Sequence, residues 1–189
     1  MIYFTADLHL FHPNAIKLSG RPFPDMDTMH ETLIKNWNDS IEELDEIYII
    51  GDFIWPKGIV REKLNDVLRR LKGDIHLIPG DHDLTRYSQP KLSSRIYVHD
   101  KVHVLRGIKD VEPIVMCHWP MRNWPMSHYN SIHLFGHVHN NCRPDPFYAY
   151  GRSFNVGVDV WDFRPISLIQ IIDKVKTLGD NHNFIKKNK

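Results

Sequence analysis

In the first part of the chain, short unbroken apolar runs alternate with stretches in which apolar residues recur at helical spacing. Ile2–Ala6 is short and rich in β-formers, which predicts a strand. From Asp27 to Leu44 the positions Met29, Leu33, Trp37, Ile41 and Leu44 recur at intervals of three and four, predicting an amphipathic helix with Asp27 as its N-cap. Ile47–Ile50 is a continuous apolar run closed by Gly51, the pattern of a buried strand. Helical spacing returns over Ile59–Leu71, with Val60, Leu64, Val67, Leu68 and Leu71 on one face and Gly73 as the stop. Ile75–Ile78 is a third strand, ended by Pro79 and Gly80.

The second half reads mostly as β. Candidate strands are Arg95–Val98, Val102–Leu105, Ile114–Cys117, Ile132–Phe135, Phe154–Val158 and Ile166–Ile172. No long linker, internal repeat or low-complexity tract separates this half from the βαβαβ first half. The expectation is one domain over residues 1–179, with two sheets covered by helices, and a polar, basic tail over 180–189 that frays.

An apolar fraction of 42% and a charged fraction of 25% are ordinary for a globular chain of 189 residues, and exclude a disordered or fibrous one. A net charge of +1 gives no bulk attraction for nucleic acid or membrane. Cys117 and Cys142 have neither zinc-type spacing nor an evident disulfide framework. No apolar stretch approaches the ~18 residues of a membrane span, and the opening strand lacks a signal-peptide pattern, so a cytoplasmic protein without membrane partners is expected. Histidine is abundant, 13 residues, so only the placement of each carries weight.

That placement is regular. Asp7 and His9 follow the first strand, Asp52 the second, and Asp81, His82 and Asp83 the third. His118 follows Ile114–Cys117, and His137 and His139 follow Ile132–Phe135. All five clusters thus lie at the carboxyl ends of strands, the edge where open α/β sheets bind ligands. Gly51, Gly80 and Gly136 stand at three of these turns. Three carboxylates with four or five imidazoles exceed what one tetrahedral zinc accepts. They suit two divalent transition-metal ions, Mn, Fe, Zn or Co, about 3.5–4 Å apart and bridged by a carboxylate.

With these residues in hand, the chain resembles the calcineurin-like metallophosphoesterases. The matching blocks are D-L-H at Asp7–His9, G-D at Gly51–Asp52, G-D-H-D at Gly80–Asp83, then His118, and G-H-V-H at Gly136–His139. The resemblance implies a four-layer α/β/β/α sandwich of two mixed sheets. It also implies that Asp7, His9 and His139 hold one ion, that Asp81, His118 and His137 hold the other, and that Asp52 bridges them. Asp81 stands where that family expects Asn. An ionised Asp strengthens metal binding and weakens attraction for a phosphate, a penalty larger for a monoester dianion than for a diester monoanion.

The expected activity is hydrolysis of a phosphodiester, or of a monoester, by attack of a metal-bridging hydroxide. His82 would protonate the leaving oxygen and Asp83 would orient His82. Arg21, His12 and Asn14, in the loop after the first strand, are expected at the substrate, Arg21 through its bidentate fork. Asn155 and Asp159 would support ligating histidines. Partners would be a small phosphate ester or an accessible nucleic-acid end. The competing reading is a catalytically weak, metal-bound scaffold for a protein partner. His30, His76, His99, His103 and His133 are expected as exposed or strand-face residues. Trp119, Trp124, Met121 and Met126 either line a pocket or pack in the core.

Overall fold

The computed structural model describes residues 1–55, 61–83, 95–141 and 151–186. Strands β1 (Ile2–Thr5), β2 (Glu46–Ile50), β3 (Asp74–Ile78) and β4 (Ile96–Val98) pair in parallel, and β9 (Ile166–Ser167) adds antiparallel to β1, giving the order β4-β3-β2-β1-β9. A second sheet has the order β5-β6-β7-β8, from Val102–Leu105, Ile114–Cys117, Ile132–Phe135 and Ser153–Asn155. Its β5–β6 pair is antiparallel and the other two pairs are parallel. Two mixed sheets flanked by helical elements make the α/β/β/α arrangement expected from the sequence.

The parallel strands are apolar on both faces because both faces are covered. Ile47, Ile49, Ile75 and Leu77 pack beneath helix α2 (Met26–Ser40) and helix α3 (Arg61–Arg70), against Met29, Leu33, Trp37, Leu64 and Leu68. Phe4, Tyr48, Ile50 and Ile78 point the other way and meet Ile114, Met116, Ile132, Leu134 and Phe154 between the sheets. The outward face of the second sheet is covered by the segment after β6, where Trp124 stacks on His133 with ring centroids 5.3 Å apart. Among the described residues no helix is long and apolar enough to cross a membrane.

Several expected boundaries move. Asp25, not Asp27, caps α2, its carboxylate accepting from Thr28 N at 2.7 Å. The helix ends at Ser40, whose hydroxyl bonds back to Asn36 O at 2.8 Å, and Leu44 is left exposed in the turn to β2. The run expected as a strand over Ile166–Ile172 becomes helix α4 (Leu168–Lys176) after the two residues of β9. A capping box between Ser167 and Gln170 starts it, and Ile171 and Val175 bury its apolar face. A short helix α1 (Ala15–Ser19) has no periodic signal in the sequence. Within the expected tail, Asn181 is buried and donates to Ser127 O and Ser131 O at 3.0 and 2.9 Å, and residues 187–189 lie outside the described residues. Residues 59 and 60 of the expected second helix, and Cys142, lie outside the described residues; Cys117 is a buried free thiol.

His133 lies on the covered face of β7 and is fully buried. Its Nδ1 donates to Val115 O at 3.1 Å, and its Nε2 accepts from Met121 N at 3.2 Å, which defines the neutral tautomer. Burial holds its pKa down from 6.5 to about 4. Below pH 6.5 the unfolded chain takes up a proton here that the folded chain refuses. The contribution of this residue to stability is therefore expected to fall by about 3 kcal/mol as pH drops from 6.5 toward 4, and to be unchanged above pH 6.5. Urea midpoints of the chain and of His133→Gln across that range check this; parallel curves would refute it.

Candidate metal centre

The carboxyl ends of β1, β2, β3, β6 and β7 converge on one cleft of about 150 Å³, lined by His9, His12, Ala15, Leu18, Ser19, Asp52, Asp81, His82, His137 and His139. Backbone geometry there is unusual. Asp7, His9, Asp52, His137 and His139 all have positive φ, between 50° and 71°. For non-glycine residues this region costs on the order of 1–3 kcal/mol each, and such strain concentrates at functional sites. The turn glycines give the room. A Cβ at Gly80 would stand 2.4 Å from Asp52 Oδ1, and one at Gly136 would stand 2.7 Å from Asp7 Oδ2.

Three overlapping groups of side chains bring their ligand atoms within 4.8 Å of one another: Asp7, His9 and His139; Asp81, His118 and His137; and Asp7, Asp52 and His118, which joins the other two. Asp52 Oδ2 lies 3.5 Å from His9 Nε2, 3.4 Å from His118 Nε2 and 4.0 Å from His82 Nε2. His9 Nε2 and His118 Nε2 are buried without hydrogen-bond partners among the described residues. Unsatisfied buried nitrogens facing a carboxylate fit the vertices of a cation site. These are candidate metal-binding clusters for two ions.

The electrostatics point the same way. Burial raises Asp7 to a pKa of about 6 and lowers His9 to about 3, so His9 offers a neutral lone pair. Burial also opposes charge on His118, but the carboxylates of Asp52 and Asp7 outweigh it and hold the imidazole up at about 9. Asp52 is held well below the usual carboxylate range: burial would raise it, but His118, His9 and the His82 amide prevail.

Outer contacts fix the rings and carboxylates. His118 Nδ1 donates to Ile50 O at 2.9 Å, leaving Nε2 toward Asp52. His139 Nδ1 meets Asp159 Oδ2 at 2.6 Å and Ser19 Oγ at 3.2 Å, while Asn155 Nδ2 donates to His139 O at 2.8 Å. Asp7 accepts from His137 N through both oxygens at 3.0 Å, and Asp52 Oδ1 accepts from His82 N at 3.1 Å.

Three expected roles are corrected. Arg21 is buried and unavailable to a substrate. It forks onto Asp159 at 2.7 and 2.9 Å and donates to the carbonyls of Asp7 and Leu8 at 2.5 and 3.0 Å. Asn14 is exposed before α1 and does not line the cleft. Asp83 does not reach for His82: its oxygens accept from the amides of Asp52, Phe53, Ile54 and Gly80, at 2.6 to 3.3 Å, which ties the β2 and β3 turns together. Burial raises Asp83 to about 6 despite these bonds. His12 does line the cleft.

Three further positions take part that the sequence pattern does not single out. Trp55 packs on His12 and His82, with ring centroids 4.2 and 4.7 Å apart. Ser19 arrives through the short α1. Gly157, inside the N-V-G-V-D segment that also holds Asn155 and Asp159, lies where a Cβ would meet Asp7 Oδ2 at 2.6 Å.

The uncharacterized protein MJ1445 of Methanocaldococcus jannaschii is 32% identical over 187 residues, 95% of this chain and 97% of that protein. The chain belongs to the MJ1445 family. No family model matches the sequence. Among solved structures, the protein of unknown function AQ665 from Aquifex aeolicus superposes with a TM-score of 0.72 at 24% identity, over 93% of this chain and 98% of that one. That likeness shows that the fold of this MJ1445-family member also occurs in AQ665. A Vps29 variant from Entamoeba histolytica reaches a TM-score of 0.35 at 17% identity over 73% of this chain and 64% of that one, too weak to bear on the fold.

Proposed function

We propose that the chain is a binuclear metal-dependent phosphoesterase that favours diesters. The observation that carries this reading is the pair of ligand groups, Asp7/His9/His139 and Asp81/His118/His137, joined through Asp52 beside a cleft that His82 lines. When bound, two divalent ions supply Lewis-acid stabilisation of phosphoryl oxygens and a hydroxide nucleophile near neutral pH. His82 gives the leaving oxygen its proton, and Trp55 and His12 pack around its ring and set its direction. Three carboxylates on two ions leave little surplus positive charge, which handicaps a dianionic monoester more than a diester. A small ester or an accessible nucleic-acid end suits a cleft of about 150 Å³.

Turnover of bis-p-nitrophenyl phosphate with Mn²⁺ is expected to exceed that of p-nitrophenyl phosphate. His82→Ala should cut the diester rate by about 10²–10⁴-fold with both ions retained, the usual range for a lost general acid. Two bound ions with no turnover of either ester would instead favour the scaffold reading.

A further inference from the structure

Each carboxylate of the centre needs a donor to fix its rotamer, and the three are served differently. Asp7 and Asp52 are buried and receive backbone amides, from His137 and His82 respectively. Asp81 is the exposed one, its side chain 43% accessible. Among the described residues its carboxylate receives one hydrogen bond, from Trp119 Nε1 to Oδ2 at 3.2 Å. The same oxygen lies 3.3 Å from His137 Nδ1, inside the second ligand group. Trp119 directly follows His118, and their rings meet edge-on with centroids 5.4 Å apart. Lys101 Nζ lies 4.7 Å over the indole. The indole is thus held between a candidate ligand and a lysine, with its N–H aimed at Asp81.

We propose that Trp119 is a positioning residue that holds Asp81 toward the second ion. Indole Nε1 can only donate, and the Asp81 oxygen that accepts from it keeps another lone pair to face the ion. The indole N–H thus takes for Asp81 the part that backbone amides take for Asp7 and Asp52. A side chain performs this task, so it can be removed without disturbing the backbone turns that hold Asp7 and Asp52.

This rests on the binuclear reading, and the test separates the two. The full chain is titrated with Co²⁺ alone, following the d–d absorption and the bound stoichiometry by elemental analysis. Trp119→Phe is expected to weaken the second ion about 10–100-fold, the usual cost of a lost outer partner, while the first ion binds unchanged. Asp81→Ala should weaken the second ion by at least as much, and W119F added to D81A should cost nothing further, because the indole acts through Asp81. Unchanged affinity in W119F, or a W119F penalty that persists in full in the D81A background, would overturn the role given to Trp119 and leave the two-ion centre standing. A single ion bound by the unaltered chain would overturn the binuclear reading and this role with it.

Discussion

Asp52→Asn is expected to leave the fold in place and to abolish stable binding of both ions, not of one. The carboxamide keeps an oxygen for the His82 amide, a bond of 3.1 Å in the unaltered chain, so the β2 and β3 turns stay joined. The four amides on Asp83 hold those turns independently. What disappears is the negative oxygen that faces His9 and His118 at 3.5 and 3.4 Å, between the two ligand groups. Loss of an outer partner typically costs about 10–100-fold in metal affinity, and under the proposed binuclear reading, in which both ions would share Asp52, the loss should exceed that for each of them. Bound metal, counted after gel filtration, should drop from two ions toward none. Saturating Mn²⁺ is expected to raise the Tm of the unaltered chain and to leave that of the variant unmoved, because only a ligand that binds the folded state raises its stability. A variant that still carries two ions would remove Asp52 from the bridging position.

How much of the fold and the centre is legible in the sequence depends on whether the physical cause is local. Parallel strands buried on both faces leave unbroken apolar runs, so β1, β2 and β3 are found to within a residue or so. The same density of apolar residues misleads at Ile166–Ile172, where a run of large aliphatics fits strand and helix alike. There the decisive signal is the polar pair Ser167 and Gln170, a capping box that starts α4. The ligand candidates are visible because each sits just past a strand, and parallel strands bring such positions to one edge. The roles of Arg21 and Asp83 are not visible. An arginine that fills a buried fork looks the same in sequence as one aimed at a substrate, and its partner Asp159 is distant along the chain. Asp83 stands beside His82 in sequence, yet the amides after β2 approach from another strand and take its oxygens first.

The burial of Arg21 carries a second large effect, on stability. Its guanidinium is fully enclosed and its hydrogen bonds stay inside the fold, to both oxygens of Asp159, to the carbonyls of Asp7 and Leu8, and to Met29 Sδ at 3.4 Å. Arg21→Leu removes one charge of a buried pair and leaves Asp159 with His139 as its partner. It also strands two carbonyls at the base of the Asp7–His9 turn. Breaking a buried pair from one side costs about 3–5 kcal/mol, and for a domain of this size that lowers Tm by roughly 6–20 °C. Lysine should rescue little, because an ammonium cannot make the parallel fork onto Asp159 while also reaching both carbonyls. The double variant Arg21→Leu/Asp159→Leu should recover part of the loss, since no uncompensated charge remains inside. It should nevertheless bind metal poorly, because His139 then lacks the carboxylate that sets its ring. Urea unfolding of the metal-free forms measures the first effect and Mn²⁺ titration the second. An unfolding midpoint unmoved by Arg21→Leu would mean that the guanidinium is spare, and would return it to the groups free to meet a phosphate.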